Sequence, residues 1–223
     1  MLRQLRIAAA LLLLAAGTAL ADSGLPFQDF SLGPQYQSVK STSAGPSPAG
    51  TMYGLDMAFN GSYLDSLLNG SNNKLRFGDY VGAHATLSDA NYASGGSQYF
   101  IGLGFSLGVQ AGLAVTDYLD VGARYYVDCR DNKFGSPDNA QALNLNTSVF
   151  MVRVANIYLD AGAGNGKKSQ GNETCNSSLI RLRYLFAEGG YAGVMLDTMK
   201  IKYDLLDRED TIRNIVIQFG LSH

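Results

Sequence analysis

Only two histidines are present, His84 and His223, and hydroxyl nucleophiles need a nearby base to act. His84 has Ser88 four residues downstream and Asp79 and Asp89 five residues to either side. Those are the residue types of a serine hydrolase, as a lipid hydrolase built on a barrel wall would use them. The surrounding residues carry no motif of such an enzyme. The plainer reading makes His84 one of several polar side chains on the wet face of a strand, and we assign no catalytic residue. Two cysteines, Cys129 and Cys175, have no histidine or second cysteine at ligand spacing, so they indicate no metal site. An exported chain would meet an oxidising compartment, where these two could pair as a disulfide; two free thiols are the alternative. Gly102-x-Gly104 and Gly162-x-Gly164 lie inside extended segments, not at a strand-to-helix turn, so they do not read as phosphate loops. No cofactor is implied.

The remaining chemistry is charge. Arg76, Arg124, Arg181, Arg183, Lys200 and Lys202 stand against Asp56, Asp120 and Asp128. Each is expected on the polar side of an alternating segment, together with His84. Facing a common lumen, they would make either a weakly anion-preferring path for small polar solutes or a charge-paired, closed interior. Narrow barrels tend to the second, because side chains fill them.

The segments that position these residues share a period of two. In residues 99–115, YFIGLGFSLGVQAGLAV, every odd position is apolar, and the even positions are small or polar except Phe100. That is a strand pattern, and it is longer than the roughly 5–6 residues of an average strand. A strand crossing a bilayer needs about 9–11 residues. The same alternation runs through 51–60, 75–87, 119–129, 157–164, 178–187 and 211–221, and less regularly through 143–154 and 191–204. Asp79 falls on the apolar side of its segment, which suggests a bulge there. In 191–204, Met199, Ile201 and Tyr203 oppose Lys200 and Lys202, and the register is expected to slip near Asp197. Gly33-Pro34 is expected to break any long strand before residue 50, leaving a short one at 35–40. Residues 61–73 suggest one helical turn and a loop.

The hairpin GLAVTDYLDVGARYYVD, residues 112–128, resembles those of small bacterial outer-membrane barrels of the OmpA, OmpX, OmpW and opacity-protein type. The resemblance is one of pattern and covers most of the chain after its first residues. It implies an all-β, antiparallel up-and-down transmembrane β-barrel of 8–10 strands. It also implies outer-membrane lipid and the barrel assembly machinery as partners. A closing strand with a late aromatic looks like that machinery's recognition signal, although four residues follow Phe219 here.

The chain opens with Arg3 and Arg6, an apolar run and the small-x-small site Ala19-Leu20-Ala21. This reads as a cleaved signal peptide over 1–21, followed by an N-terminal segment 22–50 and a barrel domain 51–223. Loss of the two arginines takes the formal net charge from −2 to −4, which gives no basic patch for nucleic acid. Short connections at 116–118, 155–156 and 188–190 alternate with long polar ones at 88–96, 130–142, 165–177 and 205–210. Outer-membrane barrels pair short periplasmic turns with long outer loops in this way. Nine strands are counted from 51 onward, and an even number is needed. The segment 35–40 then supplies a tenth, or 51–60 leaves the wall and eight remain.

Three functions follow. The first is an outer-membrane barrel with a structural, surface-interaction or small passive pore role. The second is a soluble exported barrel holding an apolar ligand inside, as lipocalins do, with the two faces inverted. The third is the barrel-borne lipid hydrolase.

Overall fold

A computed structural model describes residues 29–42, 50–61, 74–92, 97–132, 141–168, 173–186, 189–203 and 208–222. The signal-peptide segment 1–21 and the helical turn expected within 61–73 lie outside them, apart from Gly61. The described chain forms ten strands. They are β1 (Asp29–Ser41), β2 (Gly50–Gly61), β3 (Leu75–Tyr92), β4 (Ser97–Thr116) and β5 (Leu119–Asn132). The second half comprises β6 (Gln141–Val154), β7 (Ile157–Lys168), β8 (Thr174–Leu185), β9 (Gly190–Tyr203) and β10 (Arg208–Ser222). Each pairs antiparallel with its neighbours, and β1 closes on β10. The fold is therefore the up-and-down β-barrel expected, with ten strands.

Register fixes the width of the barrel. Following cross-strand partners from Asp29 through all ten strands returns to Ser41, a stagger of twelve residues. With about 3.3 Å per residue and about 4.8 Å between strands, this gives a tilt of about 40° and a backbone radius of about 10 Å. Side chains projecting inward from such a wall meet across the axis.

The seam is where β1 departs from expectation. Gly33 and Pro34 sit in mid-strand, and neither ends it. The ladder to β10 skips these two residues and resumes at Gln35 opposite Val216, while Pro34 stays paired with Leu55 of β2. Proline has no N–H to donate, so its place in the wall needs such a gap. A side-chain carbon at Gly33 would stand 1.6 Å from the Ile217 carbonyl oxygen, so only glycine lets the strands close there.

One end of the barrel is tied by short turns. Ala155 N–H donates to the Tyr118 carbonyl at 2.7 Å, and Leu185 N–H to the Asn156 carbonyl at 2.8 Å, so neighbouring turns hold one another. This is called the turn end below, and the opposite end the loop end. At the loop end the strands run further than the sequence suggested. Residues 88–92, 97–98, 130–132, 141–142, 165–168 and 174–177 are strand rather than loop. Backbone pairing continues there after the apolar alternation has stopped.

The two faces differ in chemistry. On β4, Phe105, Leu107, Val109, Leu113 and Val115 point out and are 41–65% exposed. The outward apolar row at 103–113 covers about 25 Å along the axis at this tilt, which matches the apolar band of a transmembrane barrel. Towards the loop end the outer wall turns polar, with exposed Asn144, Asn165, Lys167, Asn176, Lys200 and Lys202. Asp79 does face outward, but no bulge accompanies it. The β3–β4 register is unbroken from Leu75↔Leu113 to Asn91↔Ser97.

Candidate functional site

The lumen is stratified. Near the turn end lies an ionic floor built by β1, β7 and β8. Arg181 Nε donates to Asp160 Oδ2 at 2.7 Å, and Arg183 Nη2 reaches the same oxygen at 3.0 Å. Arg183 Nη1 donates to Asp29 Oδ2 at 2.8 Å, and Arg181 Nη1 lies 3.6 Å from it. Two guanidiniums and two carboxylates thus neutralise one another, and all four residues are at most 6% exposed. Burial of this kind is tolerable only with full pairing, because an unmatched charge in a dry interior costs several kcal/mol.

The floor extends across the axis. Asn60 Nδ2 of β2 donates to Asp29 Oδ1 at 2.6 Å, and Tyr80 OH of β3 donates to Asn60 Oδ1. Arg124 of β5 stacks 4.1 Å above the Tyr80 ring and donates through Nε and Nη2 to Gln110 Oε1. In a ring of ten strands β2 stands opposite β7, and β3 opposite β8. The network therefore spans a diameter. Below it, at the turn end, Arg153 pairs with Asp120.

Above the floor is a cavity of about 190 Å³. Asp56, Asp128, Asp197 and His84 line it from β2, β5, β9 and β3. Ser106 Oγ donates to Asp128 Oδ1 at 3.0 Å. The His84 imidazole lies over Gly104, where an added side-chain carbon would come within 1.8 Å of its Cε1. The glycine-rich inner face of β4 is thus the space that β3 side chains fill. Nearer the loop end the lumen carries an apolar cluster that includes Val39, Met52, Leu145, Cys175, Ile201 and Ile212.

Of the charges expected inside, Asp56, Asp120, Asp128, Arg124, Arg181 and Arg183 are buried on the inner face. Arg76 and His84 are half-buried on that face. Lys200 and Lys202 are not in the lumen. Both are exposed on the outer wall, and Met199, Ile201 and Tyr203 point inward instead. No register slip occurs at Asp197, which is itself buried inside, so the parity it sets carries through to Tyr203. The reason is position. At the loop end the outer wall has left the apolar band, so a lysine there is solvated, and it is the interior that excludes water.

Cys129 and Cys175 are not joined by a disulfide in this structure. Cys129 shares the outward parity of Tyr125 and Val127, and its Sγ donates to Asn144 Oδ1 at 3.0 Å. Cys175 shares the inward parity of Arg181 and Arg183 and is buried in the apolar cluster. The hydrolase set is not assembled either. His84 points inward, whereas Asp79 and Asp89 belong to the outward row of the same strand.

Four inner carboxylates and two guanidiniums among the described residues were missed in the sequence: Asp29, Asp160, Asp197, Asp210, Arg153 and Arg208. Asp160 alternates with outward Leu159 and Ala161, so its side was readable. Asp29 alternates with Phe30 and Leu32 over only four residues before Gly33-Pro34, too short a run to read. With these included and the two lysines removed, the lumen loses the cationic excess on which anion preference rested.

No protein-family model matches the chain, and no curated protein matches it. Among solved structures, the chain is similar to CymD, a monoaromatic hydrocarbon channel, at 14% identity and a TM-score of 0.39, covering 83% of this chain. This chain spans 61% of that channel's length. OmpF of Salmonella typhi, solved in complex with daunomycin, matches at 10% identity and a TM-score of 0.27, over 86% of this chain and 96% of its own. OccAB4 of Acinetobacter baumannii matches at 6% identity and a TM-score of 0.23, over 88% of this chain and 98% of its own.

Proposed function

We propose that this chain is a bacterial outer-membrane β-barrel and acts as a narrow passive pore for small polar solutes, gated by its ionic floor. The carrying observation is the sidedness of the closed wall. A continuous apolar band faces outward, and the buried charges face inward. A soluble barrel would expose large apolar side chains to water all round, at a cost of about 25 cal/mol for each Å². That argues against the lipocalin-like reading, which needs the opposite sidedness. Lipid would take the outward face, and the barrel assembly machinery would insert it.

The floor explains why such a pore would be shut at rest. Arg183 of β8 bridges to Asp29 of β1 at 2.8 Å, and the Arg183–Asp160 and Asn60–Asp29 contacts of 3.0 and 2.6 Å extend that bridge to the neighbouring strands. Opening requires the arginines to exchange carboxylate partners for solvent or solute. The reading is tested by refolding the mature chain into detergent and then into planar bilayers. It expects partition into the detergent phase, and brief, rare conductance steps. A protein that stays in the aqueous phase without detergent contradicts the membrane placement. A barrel that inserts but never conducts contradicts the pore.

A further inference from the structure

We infer that the chamber above the ionic floor is a binding site for a small organic cation, with an ammonium or guanidinium head. This deepens the pore reading by naming the solute class, and it rests on that reading for its biological sense.

Charge is the first observation. The chamber is lined by four carboxylates, Asp56, Asp128, Asp160 and Asp197, and by two guanidiniums, Arg124 and Arg181. With His84 neutral the lining carries two net negative charges. Both arginines are committed downward, Arg181 to Asp160 and Arg124 to Gln110 and the Tyr80 face. Asp56, Asp128 and Asp197 come from β2, β5 and β9, so they surround the space instead of crowding one side.

The second observation is independent of charge. Gln35 Oε1, Gln218 Oε1 and Asp160 Oδ1 are buried oxygens with no hydrogen-bond partner, and all three residues line this same chamber. Their exposures are 8%, 1% and 1%. The Gln218 amide nitrogen already donates to Ser31 Oγ at 3.4 Å, which leaves its oxygen free to accept. Buried polar atoms are nearly always satisfied, and a cluster of orphans needs an explanation. Each of these is an acceptor. A ligand that satisfies them must bring donors, and ammonium and guanidinium groups are donors only.

Shape supplies the rest. A cavity of about 190 Å³ has the liquid volume of about six waters. Its walls also carry Met52, Met195, Met199 and Leu179, which suit a short alkyl body behind the head group. A carboxylate-bearing solute would meet repulsion from the aspartates.

The experiment is isothermal titration calorimetry on the refolded mature chain in detergent. The probe is agmatine, a short alkyl chain with an ammonium at one end and a guanidinium at the other. Butyrate is the anionic comparison. Agmatine is expected to bind saturably, once per chain, and butyrate to give no binding heat. The Asp56→Asn/Asp197→Asn double variant, with refolding checked by heat-modifiable migration, is expected to bind agmatine at least tenfold more weakly. If that variant does not refold, Gln35→Met removes one orphan oxygen and no charge, and should weaken agmatine several-fold. Absence of saturable agmatine binding by folded protein overturns the inference. So does butyrate binding as tightly, or unchanged agmatine affinity in the variant that folds. Binding in micelles does not require conduction. Agmatine binding with silent bilayers would defeat the pore reading alone, and conduction without agmatine binding would defeat this inference alone.

Discussion

At the turn end, Arg181 and Arg183 hold Asp29 and Asp160 through directed contacts. Nearer the loop end, Val39, Met52, Leu145, Met199, Ile201 and Ile212 form an apolar cluster in the lumen, with the Arg208–Asp210 pair beside it. The two layers are held together by opposite physics. The ionic layer has one satisfied arrangement, because each guanidinium must meet its carboxylate at hydrogen-bond distance. The apolar layer is non-directional and includes two methionines, whose unbranched side chains repack at little cost. The loop-end layer can therefore yield to a solute, whereas the floor either holds or comes apart. A rigid seal below and a compliant one above fit a pore whose gate is the floor.

Variants that break this contrast should differ in kind as well as size. The largest effect is expected for Arg183→Ala, which leaves Asp29 and Asp160 short of a partner inside a dry lumen. Loss of one member of a buried ion pair costs about 3–5 kcal/mol. Urea unfolding from detergent micelles checks it, and the variant should also conduct more than the wild type. Ile201→Ala, at the centre of the apolar layer, is expected to cost about 2–3 kcal/mol, the lower part of the usual range for such truncations. It should leave conductance unchanged, because the floor still seals.

A smaller effect sharpens the outer boundary. Lys200 lies 3.9 Å from Glu209, and both side chains are largely in solvent. Lys200→Ala should change stability by less than about 0.5 kcal/mol, a result that a lumen-facing lysine would not give. The cysteines give a readout with no energetic effect. Maleimide should label Cys129 on the folded barrel and reach Cys175 only after unfolding, and dithiothreitol should leave the melting temperature unchanged.

These outcomes also mark how far the sequence could be read. The period of two in 99–115 and 119–129 reports a wall with an apolar outer face and an inner face, and there parity alone places Arg124 and Asp128 correctly. The signal fails wherever a strand leaves the apolar band. At Met199, Ile201 and Tyr203 the outside is wet and the inside is dry, so the greasy side reverses its meaning without any change in register. The same loss hides the ends of β3, β7 and β8, whose backbone pairing needs no apolar partner. In β1, the alternation at Asp29 lasts only four residues before Gly33, and Pro34 suggests a break. The two-residue gap that accommodates that proline is a property of β10, almost two hundred residues away. The floor could not be assembled from the sequence for a related reason. Its members come from β1, β7 and β8, and only closure of the ring brings β1 within reach of β8.

The claim that the floor is the gate is tested most directly by single-channel recording on the wild type and on Asp160→Asn/Arg183→Gln. That double variant keeps the net charge of the floor, shortens one side chain and removes its strongest contacts. The wild type should be closed nearly all the time, and the double variant should open frequently at the same voltage. Equal behaviour of the two, whether both conduct or both stay silent, would contradict it.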